Sequence, residues 1–243
     1  MIATLKPDCT LAEKAAIIRH IESHGLRVHV GDSGERPVVS IIGSPGPDLA
    51  DELGGLDGVE SVSLHAPSYP LVSLGSQPGP SVVKVRDVLV GSGPVVVMAG
   101  PCSVESAQQL EAVSDGVAAS GAVMLRGGAF KPRTSPYSFQ GLGLEGLELL
   151  RANGDRTGLG VVSECVAPED IDLMVDYVDM MQIGARNMQN FRLLQAVGEQ
   201  PKPVLLKRGL MSTIEEFLLA AEYDMAAGNP RGVRGERGTR AHD

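Results

Sequence analysis

The sequence predicts an α/β protein of the (β/α)8 TIM-barrel type, incomplete at about five to six βα units and preceded by a small ferredoxin-like α+β domain. Two observations support this class. From residue 94 onward, short strands that are apolar on both faces alternate with amphipathic helices, as in a parallel sheet covered on both sides. Residues 1–67 show instead the order β-α-β-β-α-β, which is typical of a ferredoxin-like domain.

The first domain is expected at residues 1–67. Its strand "MIATLKP" is followed by the helix "TLAEKAAIIRHIESHG", in which Thr10 and Glu13 have capping-box spacing. Two apolar segments then form a hairpin, and a second helix precedes the strand "VESVSLH". Residues 68–93 are rich in Pro, Gly and Ser without long periodicity, so they are predicted to be a linker.

The second domain is expected at residues 94–243. Five apolar segments that end in Gly or polar residues are its predicted strands: "PVVVMAG", "AVMLRGG", "LGVVSEC", "VDMMQIGA" and "KPVLLKRG". The helix after the last strand has Ser212 and Glu215 as its predicted capping box. A sixth strand would fall in "RGVRGERG", although Gly and Arg make a poor central strand.

Alternating βα units fit either a doubly wound open sheet or a barrel. No GxGxxG or Walker pattern follows the first strand, which disfavours a nucleotide-binding fold. Polar, chemistry-bearing residues follow five consecutive strands: Cys102, Arg126 with Lys131, Glu164, Arg186, and Lys207 with Arg208. Such residues converge on one mouth in a barrel but are strung along an edge in an open sheet, so the barrel is favoured.

The composition excludes several classes of function. The chain has 243 residues and a net charge of −9, which argues against nucleic-acid binding. No apolar run reaches the roughly 20 residues that cross a bilayer, so we expect no membrane partner and a cytoplasmic protein. The three cysteines lack CxxC spacing, which disfavours a disulfide framework.

The cations at the strand ends indicate an anionic ligand. In "MLRGGAFKPRTSPYSFQG", an apolar strand is followed by Lys131, Arg133, Thr134 and Ser135, which are interrupted by prolines at 132 and 136, an arrangement suited to binding phosphate. Each cation alone could equally be a surface charge paired with a nearby acid. As a set at strand ends, the cations favour a small molecule with phosphate and carboxylate groups.

Cys102 has two interpretations. A lone cysteine beside a buried strand is usually a small hydrophobic residue, but its thiolate could also bind a divalent metal at the barrel mouth. The five histidines all lie in the N-terminal region or the tail, so residues 94–230 offer no histidine as a general base.

These motifs resemble a known family. The segments "AGPCSVES", "LRGGAFKPRTSPYSFQGLG", "MQIGARNMQN" and "PVLLKRGL" look like those of the DAHP (3-deoxy-D-arabino-heptulosonate 7-phosphate) synthases that carry an N-terminal ferredoxin-like domain. The resemblance covers the whole chain. It implies condensation of phosphoenolpyruvate with erythrose 4-phosphate, the first step of the shikimate and chorismate pathway to the aromatic amino acids.

The resemblance also implies roles for individual residues. Phosphoenolpyruvate would be bound by Arg126, Lys131, Arg186 and Lys207, with Arg126 and Lys131 also catalytic. Erythrose 4-phosphate would be bound by Arg133, Thr134 and Ser135, with Arg237 near a phosphate. Cys102 would be one ligand of a divalent metal (Mn, Zn, Fe or similar) that polarises the aldehyde, and it is the only ligand that this sequence supplies.

The sequence departs from the family pattern at its C-terminal end. The second domain has fewer residues than the roughly 200 or more of a full barrel, so we expect a C-terminally shortened chain of doubtful activity. An open arc would expose its apolar inner face, which favours a homo-oligomer. One other reading is a non-catalytic fragment whose N-terminal domain binds a regulator, such as an aromatic amino acid, or a partner subunit. A third is the related KDO 8-phosphate synthase, which acts on arabinose 5-phosphate, but "KPRTS" and the appended N-terminal domain argue against it.

Overall fold

The computed structural model describes residues 1–31, 37–46, 48–64, 68–74 and 80–236. It separates the chain into two compact units, Met1–Ser81 and Val82–Asp243. No helix of the described residues is both long and apolar enough to cross a membrane.

The first unit is a four-stranded antiparallel sheet carrying two helices. In chain order its elements are β1 (Ile2–Leu5), α1 (Leu11–Ser23), β2 (Arg27–Gly31), β3 (Val38–Ile42), α2 (Leu49–Gly54) and β4 (Val59–Ser63). The strand order β2-β3-β1-β4 is that of a ferredoxin-like domain, as predicted. Thr10 and Glu13 form the predicted capping box of α1, and Ile17 and Ile21 of this helix are fully buried in the core.

The second unit begins with a hairpin inside the predicted linker of residues 68–93. Strands β5 (Val83–Val85) and β6 (Val88–Val90) pair antiparallel, and Val83 and Val85 are buried against Met124, Val162 and Met180 of the sheet. The linker prediction is therefore wrong for this part, because the valines cover apolar side chains of the sheet. For the same reason, the expected exposure of the inner face is wrong at these three sheet residues.

The main sheet has six parallel strands in sequential order. Its elements are β7 (Met98–Ala99), α3 (Ala107–Ala119), β8 (Met124–Arg126), α4 (Leu144–Thr157), β9 (Gly160–Cys165), α5 (Ile171–Tyr177), β10 (Met180–Ile183), α6 (Phe191–Gly198), β11 (Val204–Lys207), α7 (Ile214–Ala226) and β12 (Gly232–Gly235). The sheet order β12-β11-β10-β9-β8-β7 is that of an incomplete TIM barrel, which confirms the predicted fold class.

The Gly- and Arg-rich segment does form the sixth strand. Strand β12 pairs with β11 over Val204 to Lys207 and lies at one edge of the described sheet. An edge position suits this composition because only one side of the strand needs to be paired.

The capping box of α7 lies one residue later than predicted. Thr213 and Glu216, rather than Ser212 and Glu215, form the reciprocal hydrogen bonds at its start. The backbone carbonyl of Ser212 instead accepts two hydrogen bonds from the guanidinium of Arg208. Ser212 and Thr213 each have a glutamate three residues later, so the sequence pattern fits a capping box at either position. In the structure Thr213 caps the helix, while Ser212 contacts Arg208.

Candidate functional site

Side chains from four neighbouring strands meet at the carboxyl edge of the main sheet. Arg126 ends β8, Glu164 lies near the end of β9, Gln182 lies in β10 and Lys207 ends β11. Together with loop residues they line a cavity of about 490 Å³. The lining residues are Cys102, Arg126, Lys131, Pro132, Glu164, Gln182, Gly184, Ala185, Arg186, Lys207, Gly235 and Glu236. Five residues predicted for the site, Cys102, Arg126, Lys131, Arg186 and Lys207, are therefore in one place.

Arg126 is held by a dense set of contacts. Its Nε donates to the Gln182 side chain at 3.2 Å, and its Nη1 donates to the carbonyls of Pro101 and Cys102 at 3.3 and 3.1 Å. Its Nη2 lies 3.7 Å from a Glu164 carboxylate oxygen. Because several partners fix the guanidinium, it is oriented before any ligand arrives.

The Glu164 carboxylate is positioned by its neighbours in β9 and β10. It accepts a hydrogen bond of 3.1 Å from the Gln182 amide, and the residue is only 8% exposed. A Cβ at Gly184 would lie 2.0 Å from Glu164 Oε1, far closer than atoms can approach. Gly184 is therefore needed for the carboxylate to occupy this position.

Lys131 and Cys102 form a second pair in the cavity. A hydrogen bond from the Lys131 ammonium lowers the pKa of the Cys102 thiol, with smaller contributions from the charges of Lys131, Arg126 and Arg133. Cys165, by contrast, is buried, and desolvation raises its pKa to about 12. Cys102 is thus an exposed thiol with a lowered pKa rather than a small core residue.

The loop that carries Lys131 is fixed by its own backbone. Lys131 N–H donates to the Gln140 carbonyl at 2.8 Å, and Gly143 N–H donates to that of Ala129 at 3.0 Å. The Arg186 guanidinium donates to the Pro132 carbonyl at 2.7 Å and so ties the loop to the end of β10.

The remaining loop residues lie outside the cavity lining. The Nε of Arg133 donates to the Phe139 carbonyl at 3.2 Å, and the Ser135 hydroxyl accepts from the Tyr137 N–H at 3.3 Å. Arg133 and Thr134 are exposed. Arg237, also predicted for the site, lies outside the described residues.

The end of β11 contributes one cation to the cavity rather than two. Lys207 lines it, whereas the Arg208 guanidinium is bonded to Glu236 Oε1 at 2.5 Å and to the Ser212 carbonyl. Arg208 was expected among the strand-end cations that converge on one site, but it does not line the cavity, and its charge is matched by the Glu236 carboxylate.

The cavity carries more positive than negative charge. Its lining includes four cations and two carboxylates, and each carboxylate has an arginine partner, Glu164 with Arg126 and Glu236 with Arg208. Lys131 and Arg186 form no ion pair with a carboxylate of the described chain. The cavity therefore favours an anion, since cations held close together repel one another until a counter-charge binds.

Two polar side chains of the lining were not predicted from the sequence. Gln182 connects Arg126 to Glu164, and its one signal is an isolated polar residue within the apolar strand "VDMMQIGA". Glu236 partners Arg208, but a glutamate in a Gly- and Arg-rich segment gives no signal of that contact.

The described residues supply only part of a metal site in this cavity. The Cys102 thiol suits a divalent metal, but no group of three His, Cys, Asp or Glu ligands converges there within the described ranges. Glu164 and Glu236 both have arginine partners. The donor set of the described residues does not complete a metal centre in this cavity.

The fold and cavity define a β/α-barrel-type protein with a cationic site at the carboxyl ends of its strands. Comparison with protein families identifies the particular type. Residues 72–243 match the family described as "DAHP synthetase I family", and residues 1–64 match "DAHP synthase ferredoxin-like domain". The chain belongs to the DAHP synthetase I family, which is a family of enzymes.

Individual relatives agree with this assignment. The chain is 46% identical to the phospho-2-dehydro-3-deoxyheptonate aldolase of Thermotoga maritima over 243 residues, which is 100% of this chain and 72% of the relative. It is 31% identical over 168 residues to a 2-dehydro-3-deoxyphosphooctonate aldolase of Syntrophotalea carbinolica, with coverage of 66% of this chain and 61% of that protein.

A solved structure is similar over the same extent. The crystal structure of the DAHP synthase of Thermotoga maritima superposes with a TM-score of 0.70 at 44% identity, covering 100% of this chain and 70% of that one. The reading of this chain as a member of an enzyme family is therefore favoured over that of a non-catalytic binding fragment.

Proposed function

We propose that the cationic cavity binds phosphoenolpyruvate through Arg126, Lys131, Arg186 and Lys207. The observation that carries this proposal is the convergence of these four cations, which lie at or after the ends of the three strands β8, β10 and β11, on one cavity. Phosphoenolpyruvate has a phosphate and a carboxylate, and the flat fork of arginine matches either group. Lys131 and Arg186 are the natural phosphate partners, because neither forms an ion pair with a carboxylate of the described residues.

The second substrate of the proposal is erythrose 4-phosphate. Its phosphate would bind to Arg133, Thr134 and Ser135 in the loop after β8, with Arg237 contributing from the C-terminal segment. The loop is held in shape by its internal hydrogen bonds and by the contact between Arg186 and the Pro132 carbonyl. Little entropy would therefore be lost when a phosphate binds there.

The proposed reaction is the condensation of these two molecules. C3 of phosphoenolpyruvate forms a bond to the aldehyde carbon of erythrose 4-phosphate, water adds at C2, and phosphate leaves by C–O cleavage. The chain's own contribution is to neutralise both phosphates and to hold C3 facing the aldehyde. If a divalent metal (Mn, Zn or Fe) binds at the site, Cys102 would supply one thiolate ligand to it.

Two further parts of the proposal concern regulation and assembly. The ferredoxin-like domain would bind an aromatic amino acid, and calorimetry with Tyr and Phe tests this; no heat with either would count against it. The chain would form a homo-oligomer, because β12 lies at the edge of the described sheet with one side open to pairing. Light scattering that shows a monomer would refute that part.

Calorimetric titration of phosphoenolpyruvate into the purified chain tests the cavity. Replacing Lys131 or Arg186 with Met should weaken binding roughly tenfold or more, since a hydrogen bond to a charged group contributes about 1.5–3 kcal/mol. Arg192→Met is the matched control, because Arg192 is exposed on α6 away from the lining residues. Equal affinity in all four proteins would overturn the proposed site.

The sugar specificity is a separate experiment. Release of phosphate from phosphoenolpyruvate is followed with Mn²⁺ and either erythrose 4-phosphate or arabinose 5-phosphate. The proposal expects turnover with the four-carbon sugar, because the identity and coverage are higher for the DAHP synthase of Thermotoga maritima than for the octonate relative. Faster turnover with arabinose 5-phosphate would favour the other reaction.

A further inference from the structure

A group of potential metal ligands lies in the first unit, apart from the cavity. His20 lies in the last turn of α1, His24 follows that helix directly, and Glu52 lies in α2. The Nε2 atoms of His20 and His24 lie 2.9 and 3.4 Å from the same oxygen, Glu52 Oε2. One ligand atom from each residue lies within 4.8 Å of the other two.

The spacing of these atoms suits a tetrahedral transition metal. Zinc binds imidazole nitrogen and carboxylate oxygen at about 2.0–2.2 Å, so two ligands of one tetrahedral ion are roughly 3.3 Å apart. The two N···O separations of 2.9 and 3.4 Å bracket that value. His24, the residue that caps the C-terminal end of α1, comes four residues after His20, a spacing that many zinc sites use.

The hydrogen bonding of His24 directs its other ring nitrogen toward Glu52. Its Nδ1 lies 2.9 Å from the His20 carbonyl, and a carbonyl can only accept, so Nδ1 carries a proton. In the neutral ring Nε2 then has a lone pair, directed toward the Glu52 oxygen at 3.4 Å. That lone pair and the Glu52 oxygen are both available to one metal ion placed between them. A backbone carbonyl that fixes the opposite ring nitrogen is the usual outer contact of a metal-binding histidine.

We propose that His20, His24 and Glu52 bind a borderline divalent transition metal, with Zn²⁺ as the reference ion. Two imidazoles and one carboxylate are the ligands of such ions rather than of Mg²⁺ or Ca²⁺, which prefer oxygen alone. The side chains of His24 and Glu52 are 40% and 43% exposed, so water can complete the coordination and the ion can enter from solvent. The ion would join the end of α1 to α2.

The site would act on the first unit alone and does not depend on the proposed reaction. Both helices also contribute to the core of the unit, α1 through Ile21 and α2 through Leu53, and the ion would add a link at their exposed side. A metal that replaces the contacts of Glu52 with the histidines would raise the stability of the unit in proportion to its free concentration.

The test is Zn²⁺ binding to the full chain after treatment with a chelator. Cys102→Ala is the background, because it removes the thiol that could bind zinc in the cavity. The proposal expects one equivalent of Zn²⁺ by calorimetry and a higher melting temperature for the first unit. It also expects a Co²⁺ absorption spectrum typical of nitrogen and oxygen ligands.

Three variants in that background decide the outcome. His24→Ala and Glu52→Gln should each remove the Zn²⁺ binding step, whereas Glu22→Gln, which changes the same charge at an exposed position of α1, should retain it. Circular dichroism without metal checks that each variant is folded. If His24→Ala does not fold, Glu52→Gln alone still tests the proposal. Absence of zinc binding in the background protein, or binding that survives both substitutions, would overturn the proposal.

Discussion

Gly184→Ala should disturb the cavity without changing any charge. The added Cβ would lie 2.0 Å from Glu164 Oε1 and 2.8 Å from its Cδ, whereas ordinary contacts begin at 3.4 Å. The carboxylate must therefore move by more than about an ångström. That movement breaks its 3.1 Å hydrogen bond from Gln182 and displaces the neighbour of Arg126.

The magnitude follows from burial. A buried polar group that loses its partner costs about 1–3 kcal/mol, which corresponds to a fall in melting temperature of roughly 2–12 °C for a chain of this size. Because Arg126 would lose its orientation, the affinity for phosphoenolpyruvate should also fall, by about tenfold for each 1.4 kcal/mol. Thermal melting followed by circular dichroism and calorimetric titration measure the two effects.

Gly116→Ala is the matched control. Gly116 lies within α3, and a Cβ there meets nothing within 4 Å, so the same substitution should stabilise the protein by about 0.5–1 kcal/mol. If Gly184→Ala melts with the parent and binds phosphoenolpyruvate equally well, the argued role of Gly184 and Glu164 in holding Arg126 is refuted.

Three other predictions concern a thiol, a helix start and a buried acid. Iodoacetamide at pH 7.5 should modify Cys102 before Cys165, and Lys131→Met should slow the reaction because it removes the hydrogen bond that lowers the pKa of Cys102; peptide mass spectrometry that finds Cys165 modified first would contradict this. Thr213→Ala should cost about 1 kcal/mol of unfolding free energy and Ser212→Ala close to none, and denaturant melts that show the reverse order would restore the predicted capping register. Burial raises the pKa of Asp224 to about 7, so the stability that its protonated form contributes is complete below pH 4 and is lost as pH rises to 7. Asp224→Asn should remove this fall in the free energy of unfolding between pH 4 and 7. If the free energies of unfolding of the parent and the variant differ by the same amount at every pH from 4 to 8, the prediction is refuted.

The strands and their cations were predictable because apolar segments and helix caps are local signals. Parallel strands place their carboxyl ends on one edge of the sheet, so the sequence alone predicts that Arg126 and Lys207 lie on the same edge. The same topology predicts that Arg186 lies at this edge. Its hydrogen bond to the Pro132 carbonyl was not predictable, because that contact joins the loop after β8 to the segment after β10.

The remaining features depend on contacts between distant residues. Nothing in the sequence shows that Arg208 is matched by Glu236, or that the hairpin of Val83 and Val85 covers the sheet. His20 and His24 have a recognisable spacing, but their common partner Glu52 is 32 residues from His20 in sequence. Pairings of this kind arise from tertiary packing, which local patterns do not encode.

The central claim is that cations from separate strands hold one phosphorylated ligand. A crystal structure of the chain with phosphoenolpyruvate tests this most directly. The account predicts density for the ligand in the cavity, with its phosphate within hydrogen-bond distance of Lys131 and Arg186 and its carboxylate near Arg126 or Lys207. Phosphoenolpyruvate bound elsewhere on the chain, or an empty cavity at saturating concentration, would contradict it.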